Sequence, residues 1–274
     1  MTSGALVGFA ANSLLTRAAL SSGHLDAASF ALGRVVTGAL VLALFVRLRS
    51  TPTADSDPSW GPALALAGYL AAFTLAYTRI GAAVGALLLF GAVQVTMVAT
   101  GLIRGERPAR VDWLGGGLAV LGLITLTAPG SSAPDVGGAI LMAVAGVSWG
   151  AYSIQGRRSR RPLADTSRNF IRSALLLALP LACLAWPPRG TLTGVALATA
   201  SGALASGMGY TLWYAALPSL SAWRAAILQM LVPVLTAIGA AILLSEPITS
   251  RLLLSTCLVG TGIWLTASPK WQRR

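Results

Sequence analysis

The pentapeptide Gly146-Val147-Ser148-Trp149-Gly150 matches the G-x-S-x-G pattern of a serine nucleophile. That pattern makes a nucleophile on a strand–turn–helix, with a histidine to take the proton and an acidic group to orient it. Here Ser148 lies inside a long apolar run, the one histidine, His24, falls in a loop, and all eight Asp and Glu fall in loops or at the ends of runs. No H-E-x-x-H, cysteine-rich metal set, phosphate-binding loop or nucleotide fingerprint occurs. The chemistry expected is therefore binding rather than bond-making: not an enzyme, with no metal and no cofactor.

The binding candidates are polar and aromatic residues inside apolar runs. Tyr69, Phe73 and Tyr77 are spaced i, i+4, i+8, one helical face about 12 Å long. Tyr210, Trp213 and Tyr214 form a second such group. Rings of this kind line an amphipathic pocket, pack on neighbours or anchor at the membrane interface. Gln229, Pro233 and Thr236 share a face with Met230 adjacent, and Gln94 and Met97 occupy a related stretch. An unpaired amide is costly in lipid, so both glutamines must face a cavity or bond another helix. Pro233 removes a helical hydrogen bond and should kink its helix near mid-membrane.

Asn12 and Trp149 weigh toward a pathway, with Tyr152 beside them. Ser148 and Ser153 weigh toward close packing, as do the small-xxx-small pairs Gly4/Gly8, Gly81/Gly85 and Gly146/Gly150. Arg34 stands seven residues into its run, about 10 Å deep at the helical rise. It can bind a carboxylate or snorkel outward, and Arg224 poses the same choice.

The elements that must position these residues follow from composition. The chain has 274 residues, 55% hydrophobic and only 10% charged, with mean hydropathy +0.73. A soluble domain is about 25% charged, so an integral membrane protein is expected. Apolar runs fall at Gly4–Leu20, Ala27–Val46, Trp60–Tyr77, Ile80–Ile103, Val111–Ala128, Val136–Gln155, Phe170–Trp186, Leu192–Tyr214, Leu220–Leu244 and Leu252–Ala267. Backbone groups cannot stay unpaired in lipid, so these runs are read as ten transmembrane helices, an all-α fold.

Shifting the sequence by 140 residues superimposes its halves: Arg17 on Arg157, Phe30 on Phe170, Phe73 on Trp213, Thr96 on Thr236 and Glu106 on Glu246. Residues 1–130 and 131–274 thus form two five-helix repeats. Five is odd, so the second repeat is inverted, an arrangement that builds transporters with a mid-membrane site between the halves. With a cytoplasmic N-terminus, thirteen of the twenty Lys and Arg fall on the cytoplasmic side and four (Arg17, Arg79, Arg189, Arg251) on the other. Both termini are therefore expected in the cytoplasm, and the +12 charge is a topology signal, not a nucleic-acid footprint.

Ten runs in two halves, with Gly105-Glu106-Arg107-Pro108 and Ser245-Glu246-Pro247 after each fourth run, resemble the drug/metabolite transporter superfamily and its EamA-type exporters. Ser148-Trp149-Gly150-Ala151-Tyr152 followed by Arg157-Arg158 resembles the matching segment of YddG-type (aromatic) amino-acid exporters. Phe9 stands where Trp is common, and Val93-Gln94 where the second half has the more usual Pro233-Val234. The resemblance implies export of small metabolites, amino acids foremost, through a bacterial-type inner membrane. Multidrug or nucleobase and nucleoside export is the alternative, and a channel a lesser one. The expected partners are a small-molecule substrate and lipid, with the monomer as working unit.

A proton-coupled pump usually carries Asp, Glu or His well inside a span, and this chain carries none there. Facilitated diffusion or exchange is expected. An imposed proton gradient should thus leave substrate in reconstituted vesicles at its passive level; uphill accumulation, measured with a radiolabelled solute, would refute this.

Overall fold

In the computed structural model the described residues are 2–49, 59–105, 109–127, 133–184, 190–220, 225 and 228–267. Glu106 and Arg224 lie outside them, as do Arg107, Arg189, Lys270, Arg273 and Arg274 of the charge count. Ten helices are present among the described residues. They are α1 Thr2–Ser21, α2 Ala27–Leu48, α3 Gly61–Ala76, α4 Ala82–Ile103, α5 Arg110–Thr127, α6 Val136–Gly156, α7 Pro162–Leu184, α8 Leu192–Ser219, α9 Leu231–Leu243 and α10 Ser250–Ala267.

Five of them, α2, α4, α6, α7 and α8, are long and apolar enough to cross a bilayer by length and composition. At 16 and 13 residues, α3 and α9 are shorter than the sequence runs suggested; 16 residues reach only about 24 Å. Several starts are capped locally. Asp26 accepts from Ser29 N at α2, Asp135 from Gly138 N at α6 and Thr191 from Gly194 N at α8.

The polarity of the bundle is reversed relative to a soluble protein. Ile103 is 86% exposed and Leu192 85%, whereas Arg34 and Gln229 are fully buried. An apolar coat around a polar interior is stable in hydrocarbon, not in water.

The most extensive helix contacts are α5 with α10, α2 with α7 and α8, α3 with α6, α1 with α8, and α4 with α6 and α9. Lipid removes the hydrophobic drive between helices, so close backbone approach through small residues holds them. A Cβ on Gly146 would collide with the Leu89 carbonyl oxygen of α4, and one on Gly150 with Thr96. The G-x-S-x-G glycines are thus the α4–α6 contact, and Ser148 Oγ lies against Gly68 of α3.

The central part of α8, Ser201–Met208, is a π-helical stretch, a feature the sequence did not announce. A Cβ on Gly202 would meet Thr37 Oγ1 and the Arg34 carbonyl of α2. Between Gln229 and Leu231 the helical run is interrupted by a turn at Met230. Pro233 lies in the first turn of α9, where its missing N–H leaves few helical hydrogen bonds unmade.

Gly146→Ala should lower thermal stability in detergent by about 1–3 kcal/mol through overpacking. Gly260→Ala, whose Cβ would meet nothing within 4 Å, should leave it unchanged.

Candidate functional site

The aromatic residues of α1, α3, α6, α7 and α8 converge on one buried cluster. Trp149 is its hub, with ring centroids 4.6 Å from Tyr210, 5.1 Å from Tyr69, 5.1 Å from Phe9 and 5.4 Å from Tyr152. Phe73 bridges Tyr69 at 5.0 Å and Tyr77 at 4.7 Å, so the i, i+4, i+8 stripe of α3 points inward as one column. Trp213 meets Phe9 at 5.6 Å, and Tyr214 lies tilted against Tyr152 at 4.8 Å. None of these rings is an interface anchor: all are buried.

The polar residues fall into two groups. In the first, the Trp149 indole N–H donates to Gln229 Oε1 at 2.6 Å, and Gln229 Nε2 donates to the Ala225 carbonyl at 3.3 Å and reaches Met97 Sδ at 3.7 Å. Gln94 is buried one turn from Met97, and its Oε1 has no hydrogen-bond partner among the described residues. Met230 and Pro233 are buried beside this group on the α9 side. Trp213 donates to Ser153 Oγ at 3.3 Å, which accounts for Ser153 as an interhelical contact.

The second group surrounds Arg34. Its guanidinium turns inward and does not snorkel, because Tyr69, Tyr210 and Ser206 supply acceptors there. Nη2 donates to Tyr210 OH at 2.7 Å and Tyr69 OH at 3.2 Å, and Nε donates to Ser206 Oγ at 3.0 Å. The group also stacks on Phe73, 4.9 Å from guanidinium carbon to ring centroid, and on Tyr69 at 5.4 Å. Ser206 and Ser201 both donate to Asn12 Oδ1, at 3.0 and 2.8 Å. Residues five apart lie about 140° apart around an α-helix; i→i+5 bonding in the π stretch brings them toward one face.

No described carboxylate pairs with Arg34. A guanidinium at a helix centre in lipid costs about 2.5–3.5 kcal/mol on insertion scales. Three neutral acceptors and two ring faces offset part of that, and Nη1 keeps no partner among the described residues.

The two ends of the bundle differ. At the end of the α6–α7 turn a cavity of about 310 Å³ is lined by Pro62, Gln155, Arg158, Arg160, Asn169 and Tyr214 among others. Its inner wall is Tyr214, whose hydroxyl donates to the Tyr152 carbonyl at 3.2 Å. At the opposite end Glu246 accepts from Ala82 N at the start of α4, at 2.8 and 3.0 Å, and from Arg17 Nε at 3.0 Å. Arg17 Nη1 also donates to the Tyr77 carbonyl at 3.0 Å. Glu246 thus ties α1 to the start of α4 through one carboxylate. Ser245 adopts φ +53°, a left-handed turn that returns the chain toward α4.

Sequence reasoning missed Ser201 and Ser206 and did not weigh Phe9 as a site residue. Serine is common in membrane helices for packing reasons. The Ser-Gly pairs at Ser201-Gly202 and Ser206-Gly207 were the available signal.

An apolar-coated helical bundle with a polar and aromatic interior is the architecture of a multi-pass membrane protein. Residues 136–268 match the model of the EamA-like transporter family. An uncharacterized protein of Pseudomonas aeruginosa is 47% identical over 269 residues, covering 98% of this chain and 94% of its own length. A Salmonella typhimurium protein described as a probable amino-acid metabolite efflux pump is 26% identical over 199 residues, 67% of each chain. A crystal structure at 18% identity shares the fold with TM-score 0.73, covering 97% of this chain and 96% of its own.

In a double-mutant cycle of Trp149→Phe and Gln229→Leu, thermal unfolding should show a coupling of about 0.5–1.5 kcal/mol. Zero coupling would mean the 2.6 Å bond contributes nothing.

Proposed function

We propose that this protein exports small metabolites, foremost amino acids of aromatic or neutral type, through a bacterial-type inner membrane by alternating access, working by facilitated diffusion or exchange. The observation that carries this reading is the buried centre, which holds a donor without an acceptor (Arg34 Nη1) and an acceptor without a donor (Gln94 Oε1) among the described residues. Such atoms are costly unless a transient occupant satisfies them. Aromatic walls from Tyr69, Phe73, Trp149 and Tyr210 suit an apolar side chain.

The working unit in this reading is a monomer of two inverted five-helix halves, ten crossings in all, with both termini cytoplasmic. The mutual pairing of α2 with α7, α4 with α9 and α5 with α10 supports it, because a two-fold relating the halves maps each pair onto itself. The cavity at the α6–α7 end then opens to the cytoplasm, and Glu246, Arg17 and Ala82 close the outer end. Transport needs Tyr214 to part from Tyr152 on one side and the Glu246 clamp to release on the other.

Counterflow in proteoliposomes loaded with a panel of amino acids, nucleosides and cationic drugs tests the reading. Saturable exchange of amino acids is expected, and Gln229→Ala, Tyr77→Ala and Trp213→Ala should each slow it. Saturable exchange of nucleosides or drugs alone would favour the sister specificities, and ohmic, non-saturating flux would indicate a channel.

A further inference from the structure

Arg34 is the one described cation that is fully buried at the centre of the bundle, and it defines more than a polar pocket. The four described carboxylates whose contacts are seen all stand at helix ends: Asp26 caps α2, Asp135 caps α6 and pairs with Arg79, Asp165 bonds Ser159, and Glu246 caps α4. None of them compensates Arg34. The guanidinium is also held in place rather than free to follow solvent. Tyr69, Tyr210 and Ser206 occupy Nη2 and Nε, Asn12 fixes Ser206, and Phe73 and Tyr69 cover its faces. What is left is Nη1, buried and without a partner among the described residues. A held guanidinium with an open N–H edge matches carboxylate geometry, in which one nitrogen edge meets one or both oxygens.

The approach agrees in sign. The cavity that ends on Tyr214 carries Arg158 and Arg160 at its rim, with Asp165 the one acidic residue lining it. A cleft with a positive balance concentrates anions. Among the described residues no carboxylate lies at the centre to meet a positive group. The Tyr69 and Phe73 faces are already taken by Arg34, and the unpaired acceptor Gln94 Oε1 is neutral.

We infer that the recognised group of the substrate is its carboxylate, which serves as the missing counter-ion of Arg34, and that an amino group is dispensable. This rests on the transporter reading above but narrows it: the substrate class is small monocarboxylates with an apolar or aromatic body, of which amino acids are the zwitterionic members. Amines, amides and esters of the same body are excluded.

The test uses the purified full chain in detergent, read by thermal shift and intrinsic tryptophan fluorescence. The probes are phenylalanine, 3-phenylpropionate, 2-phenylethylamine and phenylalanine methyl ester. Phenylalanine and 3-phenylpropionate should bind and compete with each other, and the amine and ester should bind at least about tenfold more weakly, a margin set by loss of one charge-assisted pair. Arg34→Lys keeps the charge but loses the fork and should erase the preference; Tyr210→Phe, which keeps Arg34 and removes one of its acceptors, should weaken acid binding in the same order. Equal binding of amine and acid, binding of neither acid, or an unchanged preference in Arg34→Lys would overturn the proposal. Counterflow with the same four probes separates the two readings. Acid binding without exchange sinks the carrier while the carboxylate site stands; exchange of amine and acid at equal rates sinks the site while the carrier stands.

Discussion

A cation buried among apolar helices, with no carboxylate beside it, is the constraint from which the centre of this structure follows. Arg34 enters from α2, and its donors must end on something. The acceptors come from two other helices, Tyr69 on α3 and Tyr210 and Ser206 on α8, with Asn12 of α1 supporting Ser206. One side chain therefore sets the relative rotation of four helices. A hydrogen bond to a charged group is worth about 1.5–3 kcal/mol, so each of these contacts resists rotation more strongly than a packing contact alone. The π-helical stretch of α8 belongs to the same set of contacts, because it brings Ser201 and Ser206 to bear on a single asparagine.

Close approach of the backbones makes this geometry possible. Gly202 lies so near the Arg34 carbonyl and Thr37 that no larger residue fits without a shift of α2. Gly146 and Gly150 do the same for α4 and α6, which brings Trp149 to the centre. In lipid such contacts replace the hydrophobic effect, since outward-facing residues such as Leu40 and Ile242 gain nothing by leaving the hydrocarbon. The glycines thus decide which helices touch, and the polar side chains decide at what angle.

The two ends obey different physics. At the Glu246 end a carboxylate bonds a backbone N–H at the start of α4 and a guanidinium on α1, tying three segments through charge. At the cavity end the contact is two tilted tyrosine rings and one neutral hydrogen bond. Parting the tyrosine contact would lose one neutral hydrogen bond, whereas parting the Glu246 contacts would break charge-assisted ones.

Much of this was readable in one dimension. Hydropathy placed ten helical runs, and residues from nearly every candidate stretch, Asn12, Arg34, Tyr69, Gln94, Trp149, Tyr210 and Gln229 among them, lie together inside the bundle. That success has a physical reason: a bilayer penalises polar groups so strongly that their mere presence in an apolar run says they face inward. Which way they bond is another matter. Arg34 snorkelling or binding inward, the aromatic column anchoring or packing, and Ser206 spacing helices or holding a guanidinium were each equally consistent with composition. Those choices depend on partners 35 to 176 residues away. They also depend on a π stretch whose register has no sequence period of its own. The sequence by itself determined burial, because burial is a local transfer energy; the tertiary structure alone decided pairing, because a hydrogen bond needs two ends.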